Sequence, residues 1–85
     1  MPRVLLDFRG YVFYFYSRED GEPIHVHVSK GKQSENCAKF WIKRDCVELA
    51  HNNGKIPKKD LKLIYEYICN NREEIVFTWY QYFGM

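Results

Sequence analysis

The sequence predicts an α+β domain: a small, mostly antiparallel sheet of about five strands, followed by two C-terminal helices packed on one of its faces. Three observations support this prediction. Short stretches rich in β-branched and aromatic residues, separated by turn signals, fill the first half of the chain. After Pro57 the apolar residues recur at a helical spacing. The length of 85 residues suits a single domain, 1–85.

Five stretches have the composition of strands. Arg9-Gly10 separates the first two so closely that they are expected to form an antiparallel hairpin. The polar stretch 17–23 and the loop 30–34 interrupt the pattern. Asn53-Gly54 is a strong turn signal at the end of this half. The predicted strands are residues 4–8, 11–17, 24–29, 37–43 and 46–50.

Two helices are predicted in the second half. Pro57 is typical of a first helical turn, and the residues from Asn71 combine a capping side chain with two acidic ones, which indicates a second helix start. Each helix has one apolar face. These faces contain Leu61, Ile64, Tyr65 and Ile68 in the first helix and Ile75, Val76, Trp79 and Phe83 in the second.

Two histidines stand one residue apart in the third predicted strand. Because side chains alternate between the faces of a strand, His25 and His27 are expected to share the face opposite Val26. Imidazoles titrate near neutral pH, so such a pair can share a metal, transfer protons or bind an anion.

A metal site would need further ligands beside the two imidazoles. The other residues with suitable atoms are Asp20, Glu22, Cys37, Cys46, Glu48 and His51. None of them stands at a diagnostic spacing, so we predict no metal site and no cofactor. His25 and His27 are instead the candidate catalytic pair, as acid and base in metal-independent cleavage of RNA. The alternative is a structural pair, hydrogen-bonded to neighbouring tyrosines or carboxylates.

Positive charge is concentrated in the middle of the chain. Residues 30–62 carry nine basic and four acidic side chains, whereas the net charge of the whole chain is only +2. This stretch suits an anionic partner or, alternatively, forms a solvated lysine face. The candidate nucleic-acid-binding residues are Lys30, Lys32, Lys39 and Lys43.

The remaining composition bears on compartment and partners. Three cysteines without metal spacing, and an N-terminus without a long apolar stretch, favour a reducing cytoplasm. The longest apolar runs, such as 11–16, are too short to cross a membrane. Fifteen aromatic residues among 85 are too many to bury completely, so some are expected at a partner interface.

The order of motifs resembles the DUF4160 family of small bacterial proteins of unknown function, over almost the whole chain. The shared features are Pro2, Gly10 before an aromatic strand, a proline and the two histidines in 22–27, the segment 54–57, and Trp79. The family often has another histidine and a second proline before this motif. Here Gly21 and the single Pro23 stand in that loop, which removes the most convenient third metal ligand.

The resemblance implies a toxin component of a toxin–antitoxin pair, with a small cognate antitoxin as its partner and RNA or the translation apparatus as its target. The alternative is a non-catalytic protein-interaction module. In that case rings near Trp41, or from Trp79 to Phe83, dock the partner and the histidines are structural. A homo-oligomer is compatible with both functions.

Overall fold

The computed structural model of the protein describes residues 3–16 and 21–84. Four strands form one antiparallel sheet, in which each strand pairs with the next along the chain. The strands are β1 (Tyr11–Tyr14), β2 (His25–Lys30), β3 (Ala38–Ile42) and β4 (Val47–Asn52), and the helices are α1 (Lys58–Asn70) and α2 (Arg72–Phe83). The predicted α+β class is confirmed, with four strands in place of about five.

The stretch predicted as the first strand is not a regular strand. In the described part of the chain, two isolated bridges join it to β1, Arg3 with Tyr14 and Phe8 with Tyr11. Six residues, 3–8, therefore lie opposite the four residues of β1. A continuous ladder cannot absorb two extra residues, and the chain bulges outward at Leu6, which is 84% exposed.

The turn between this segment and β1 has the predicted position. Arg9 and Gly10 have φ values of 53° and 86°, as a type I′ hairpin turn requires. Backbone hydrogen bonds run both ways between Phe8 and Tyr11, at 3.0 and 2.9 Å. The regular part of the following strand ends at Tyr14, and Ser17, the predicted end, lies outside the described residues.

The main core lies between the helices and one face of the sheet. The helices begin after Pro57 and Asn71, as predicted. Side chains that are fully or almost fully buried in this core include Phe13, Val26, Val28, Phe40, Ile64, Ile68, Ile75 and Trp79. Tyr65 is 39% exposed and lies at the margin of the apolar face of α1. Within the described residues, no helix is long and apolar enough to span a bilayer.

Candidate functional site

Both histidines of the motif lie in β2, on the side of the sheet that faces away from the main core. Val26 belongs to that core, so the alternation of side chains places His25 and His27 on the opposite side, as predicted. Strand pairing sets Tyr14 beside His27 and Trp41 beside His25. We call this side of the sheet the histidine face.

His25 is enclosed by aromatic rings. Its side chain is 0% exposed, and its ring meets those of Trp41 and Trp79 edge to face, with centroids 5.4 and 5.2 Å away. Because Trp79 belongs to the main core, His25, the first residue of β2, also borders that core. Its Nδ1 lies 2.8 Å from the carbonyl oxygen of Pro23. Because a carbonyl only accepts hydrogen bonds, Nδ1 carries the proton of this bond. The bond orients the imidazole at the start of β2.

His27 lies beside a thiol. It is 4% exposed, and its Nδ1 is 3.5 Å from Sγ of Cys37, a residue that is itself 2% exposed. The ring of Tyr14 is stacked on the imidazole at 5.8 Å, and that of Tyr16 meets it at 4.4 Å. The pair can exchange a proton between nitrogen and sulfur, in a place that solvent scarcely reaches.

Two tyrosine hydroxyls close the other side of this cluster. Tyr14 and Tyr16 both donate to the backbone oxygen of Ser34, at 2.9 and 2.7 Å, and the backbone N–H of Ser34 donates to Tyr14 at 3.2 Å. Burial, reinforced by Tyr14 and Cys37, raises the pKa of Tyr16 well above its ordinary value of 10.0. Tyr16 therefore keeps its proton at neutral pH and serves as a donor.

The histidine face has the chemistry of a buried polar cluster more than that of an open catalytic site. Proton-carrying groups are adjacent, as acid–base catalysis requires. However, His25 and His27 are almost fully covered, so an RNA phosphodiester would reach them only if the face opened. Among residues 3–16 and 21–84, no three His, Cys, Asp or Glu side chains are arranged to hold a metal ion. Asp20 lies outside those ranges.

The four candidate nucleic-acid-binding lysines lie in three different places. Lys30 and Lys32 border one cavity at the end of β2. Lys39 lies on the histidine face, 2.7 Å from a carboxylate oxygen of Glu22 and 4.3 Å from the ring centroid of Trp41.

Lys43 follows β3 at the opposite end of the sheet. It lies 3.1 Å from a carboxylate oxygen of Glu48 in an exposed ion pair. Such pairs contribute little to stability, so Lys43 is held only weakly. The structure therefore brings Lys30 and Lys32 together and keeps Lys43 far from them.

A family model described as a domain of unknown function, DUF4160, matches residues 10–80. The chain belongs to the DUF4160 family. The resemblance seen in its motifs is thereby confirmed, although Pro2 lies outside both the matched and the described residues. No curated protein and no solved structure matches this DUF4160 domain.

The sequence indicates Cys37 of this DUF4160 domain only as a residue with an atom that suits a metal, and it does not predict the contact with His27. The charged residues nearest to it along the chain are Glu35 and Lys39, and His27 stands ten residues before it. In the sheet, however, β2 and β3 pair with His27 opposite Lys39, which brings Cys37 back to the imidazole. The hairpin register is the signal that could have revealed the pair.

Proposed function

We propose that this chain is a non-catalytic protein-interaction module that binds a cognate partner protein. The observation that carries the proposal is a contrast in exposure. The histidines, where chemistry was expected, are 0% and 4% exposed, whereas Phe77 on α2 is 65% exposed. Large rings exposed together on one helix are typical of an interface.

The exposed rings of α2 are part of a continuous surface. Phe77 and Tyr80 stand three residues apart, which makes them neighbours on the helix, and Tyr80 is 46% exposed. Glu74 precedes Phe77 by the same spacing and borders a depression together with Leu6. We call Leu6, Glu74, Phe77 and Tyr80 the Phe77 surface.

The chemistry of this surface indicates the chemistry of its partner. Its centre is aromatic and aliphatic, and the acidic residues Glu73 and Glu74 both lie in the first turn of α2. A partner segment with apolar anchors and basic neighbours would complement it. The toxin–antitoxin setting implied by the family resemblance offers a candidate, namely the small protein encoded beside such domains.

The test compares two exposed aromatic residues. Phe77→Ala removes the centre of the Phe77 surface, whereas Tyr65→Ala removes a ring of α1 that is 39% exposed and borders a different groove, beside Leu49 and Lys58. We expect Phe77→Ala to weaken binding of the adjacently encoded protein by about 30-fold, the effect of an interface hot spot. Tyr65→Ala should leave the affinity within about twofold. Isothermal titration calorimetry measures both values.

The proposal fails if the two variants bind alike, or if the purified chain does not bind the adjacently encoded protein. Both substitutions are at exposed positions, so the free energy of unfolding of each variant should lie within about 0.5 kcal/mol of the wild-type value. Urea denaturation checks this, and it separates a lost contact from a lost fold.

A second candidate function is cleavage of RNA by the histidine face. It is favoured by the contact between His27 and Cys37, at 3.5 Å, and by the position of Lys39 directly across from His27 in the sheet. Lys39 would neutralise a phosphate, and His27 would move the proton. A labelled oligoribonucleotide tests this. Cleavage that is lost in folded Lys39→Gln and His27→Gln variants supports it, and intact RNA with the wild type rejects it.

A further inference from the structure

A cavity of about 410 Å³ lies at the end of the sheet where β2 ends and α1 begins. Its charged lining residues are Lys30, Lys32, Lys55 and Asp60. Three lysines from two separate parts of the chain, the end of β2 and the turn before α1, thus border one space with a single carboxylate. Lysine ammonium groups repel one another, so their convergence favours an anion between them. The volume is within the range of small-ligand sites.

The single carboxylate of the cavity, that of Asp60, offsets only one of its three lysines. The Tyr11 hydroxyl donates to Oδ2 of Asp60 at 2.7 Å. Burial, together with Asp60, raises the pKa of Tyr11 to about 12, so the phenol stays neutral at physiological pH. Nζ of Lys30 lies 4.7 Å from the centroid of the Tyr11 ring. Among the described residues, none of the three lysines forms an ion pair.

The wall that carries Lys55 is rigidly built. The Asn52 side chain donates to the carbonyl of Ile56 and accepts from its N–H, both at 3.0 Å. The N–H of Gly54 donates to the carbonyl of Cys37 at 3.0 Å. These bonds fix both ends of the turn from β4 to α1. The cavity is therefore formed without a ligand, so binding would not have to order this wall.

The first turn of α1 adds hydrogen-bond donors. Pro57, at the N-cap, provides no side-chain cap, and the first backbone bond of the helix runs from Leu61 to Pro57. The N–H groups of residues 58–60 therefore have no partner within the helix. Pro57 and Asp60 border the cavity, so these donors lie close to the three lysines and add to the attraction for an anion.

We propose that this cavity binds the phosphate group of a small phosphate monoester, of the size of a nucleoside monophosphate. Lys30, Lys32 and Lys55 neutralise its charge, and the first turn of α1 and Asn36, which also borders the cavity, offer hydrogen bonds. The site is independent of the proposed protein partner, because it lies on α1 and the sheet end, away from the exposed rings of α2.

The experiment titrates the ¹⁵N-labelled chain with adenosine 5′-monophosphate, with inorganic phosphate and with adenosine. We expect saturable shifts of the amide signals of residues 55, 56 and 58–60 with both phosphates and none with adenosine. Tighter binding of the nucleotide than of inorganic phosphate identifies an ester as the ligand, whereas equal affinities identify phosphate itself. Absence of saturable shifts with either phosphate at millimolar concentrations overturns the proposal.

Two variants of equal charge provide the control. Lys55→Gln should weaken phosphate binding about tenfold, because it removes a charge-assisted contact. Lys43→Gln removes an exposed lysine from the opposite end of the sheet and should leave the affinity unchanged within twofold. Equal losses in both variants would show a response to net charge alone and would overturn the proposal. Far-UV circular dichroism confirms that each variant is folded.

Discussion

His25 and His27 occupy different environments although only one residue separates them in the motif. His25 is an aromatic packing residue, anchored by its Nδ1 to Pro23 and bounded by Trp41 and Trp79. His27 belongs to the polar cluster around Cys37. Both contribute to the order of the sheet, because a buried polar group that is hydrogen-bonded fixes one arrangement of its neighbours.

The packing role of His25 predicts a large loss of stability on its removal. His25→Ala leaves a cavity between two tryptophan rings and breaks the bond to Pro23, so we expect the free energy of unfolding to fall by about 3 kcal/mol. His51→Ala is the control. His51 is half-buried and its Nδ1 has no hydrogen-bond partner among the described residues.

Urea denaturation followed by tryptophan fluorescence measures both variants. The free energy of unfolding of His51→Ala should lie within about 1 kcal/mol of the wild-type value, because this variant loses little packing and no bond at Nδ1. If His25→Ala were as stable as His51→Ala, the packing role of His25 would be wrong.

The burial of Cys37 predicts an order of thiol reactivity. Cys46 is exposed, Cys69 is partly buried and Cys37 is buried. Iodoacetamide should therefore modify Cys46 first in the folded protein and leave Cys37 unmodified until urea unfolds the chain. Peptide mass spectrometry reads the order. Modification of native Cys37 as fast as that of Cys46 would reveal an accessible, activated thiolate beside His27 and would contradict the burial of Cys37.

Among the elements, the turn from β4 to α1 needs a glycine for a different reason from the turn at Gly10, whose φ is positive. The Asn53-Gly54 signal correctly predicts a turn, but the positive φ of 53° belongs to Lys55. Gly54 is required for close approach instead. A Cβ on it would lie 2.9 Å from the backbone oxygen of Asn36 and 3.0 Å from Cα of Cys37.

This close approach predicts that substitution of Gly54 and substitution of Gly21 have different effects on stability. Gly54→Ala should lower the free energy of unfolding by roughly 1–3 kcal/mol, because the backbones of two loops must separate. Gly21→Ala should change it by less than about 0.5 kcal/mol, since no atom of the part of the chain that the structure describes lies within 4 Å of its Cβ position. Thermal unfolding measures the stability of both variants. Equal stabilities would show that the two loops can separate at no cost and that Gly54 is not required for their close approach.

The elements were largely predictable from local pattern. The alternation of apolar and polar residues in β2 and the helical spacing of apolar residues in α1 can both be read from consecutive residues. Both elements are therefore predicted to within a few positions. Residues 4–8 were mispredicted because their pairing depends on register against β1, which composition does not encode.

The candidate site was predictable only in part, for the same reason. The face shared by His25 and His27 follows from the period of a strand. Their burial depends on Tyr14 and Trp41, which arrive from neighbouring strands. Likewise, the convergence of Lys30 and Lys32 with Lys55 arises from the antiparallel arrangement of distant segments.

In the whole molecule, three surfaces suit three different functions. The histidine face is closed, the Phe77 surface is exposed and apolar, and the end of the sheet is basic and concave. A domain of 85 residues has little buried surface to spare. Burial of His25 and His27 within a packed face therefore contributes to the stability of the domain. The exposed rings of α2 are instead available for binding a partner.

The most direct test of whether the histidine pair is structural is expression of the wild type and of a folded His27→Gln variant, with growth and total RNA followed together. Urea denaturation of the purified variant first establishes that it is folded. With a structural pair, we expect the same growth and the same intact RNA with both proteins. Growth arrest with cleaved RNA in the wild type, lost in His27→Gln, would contradict it and establish the histidine face as a catalytic site.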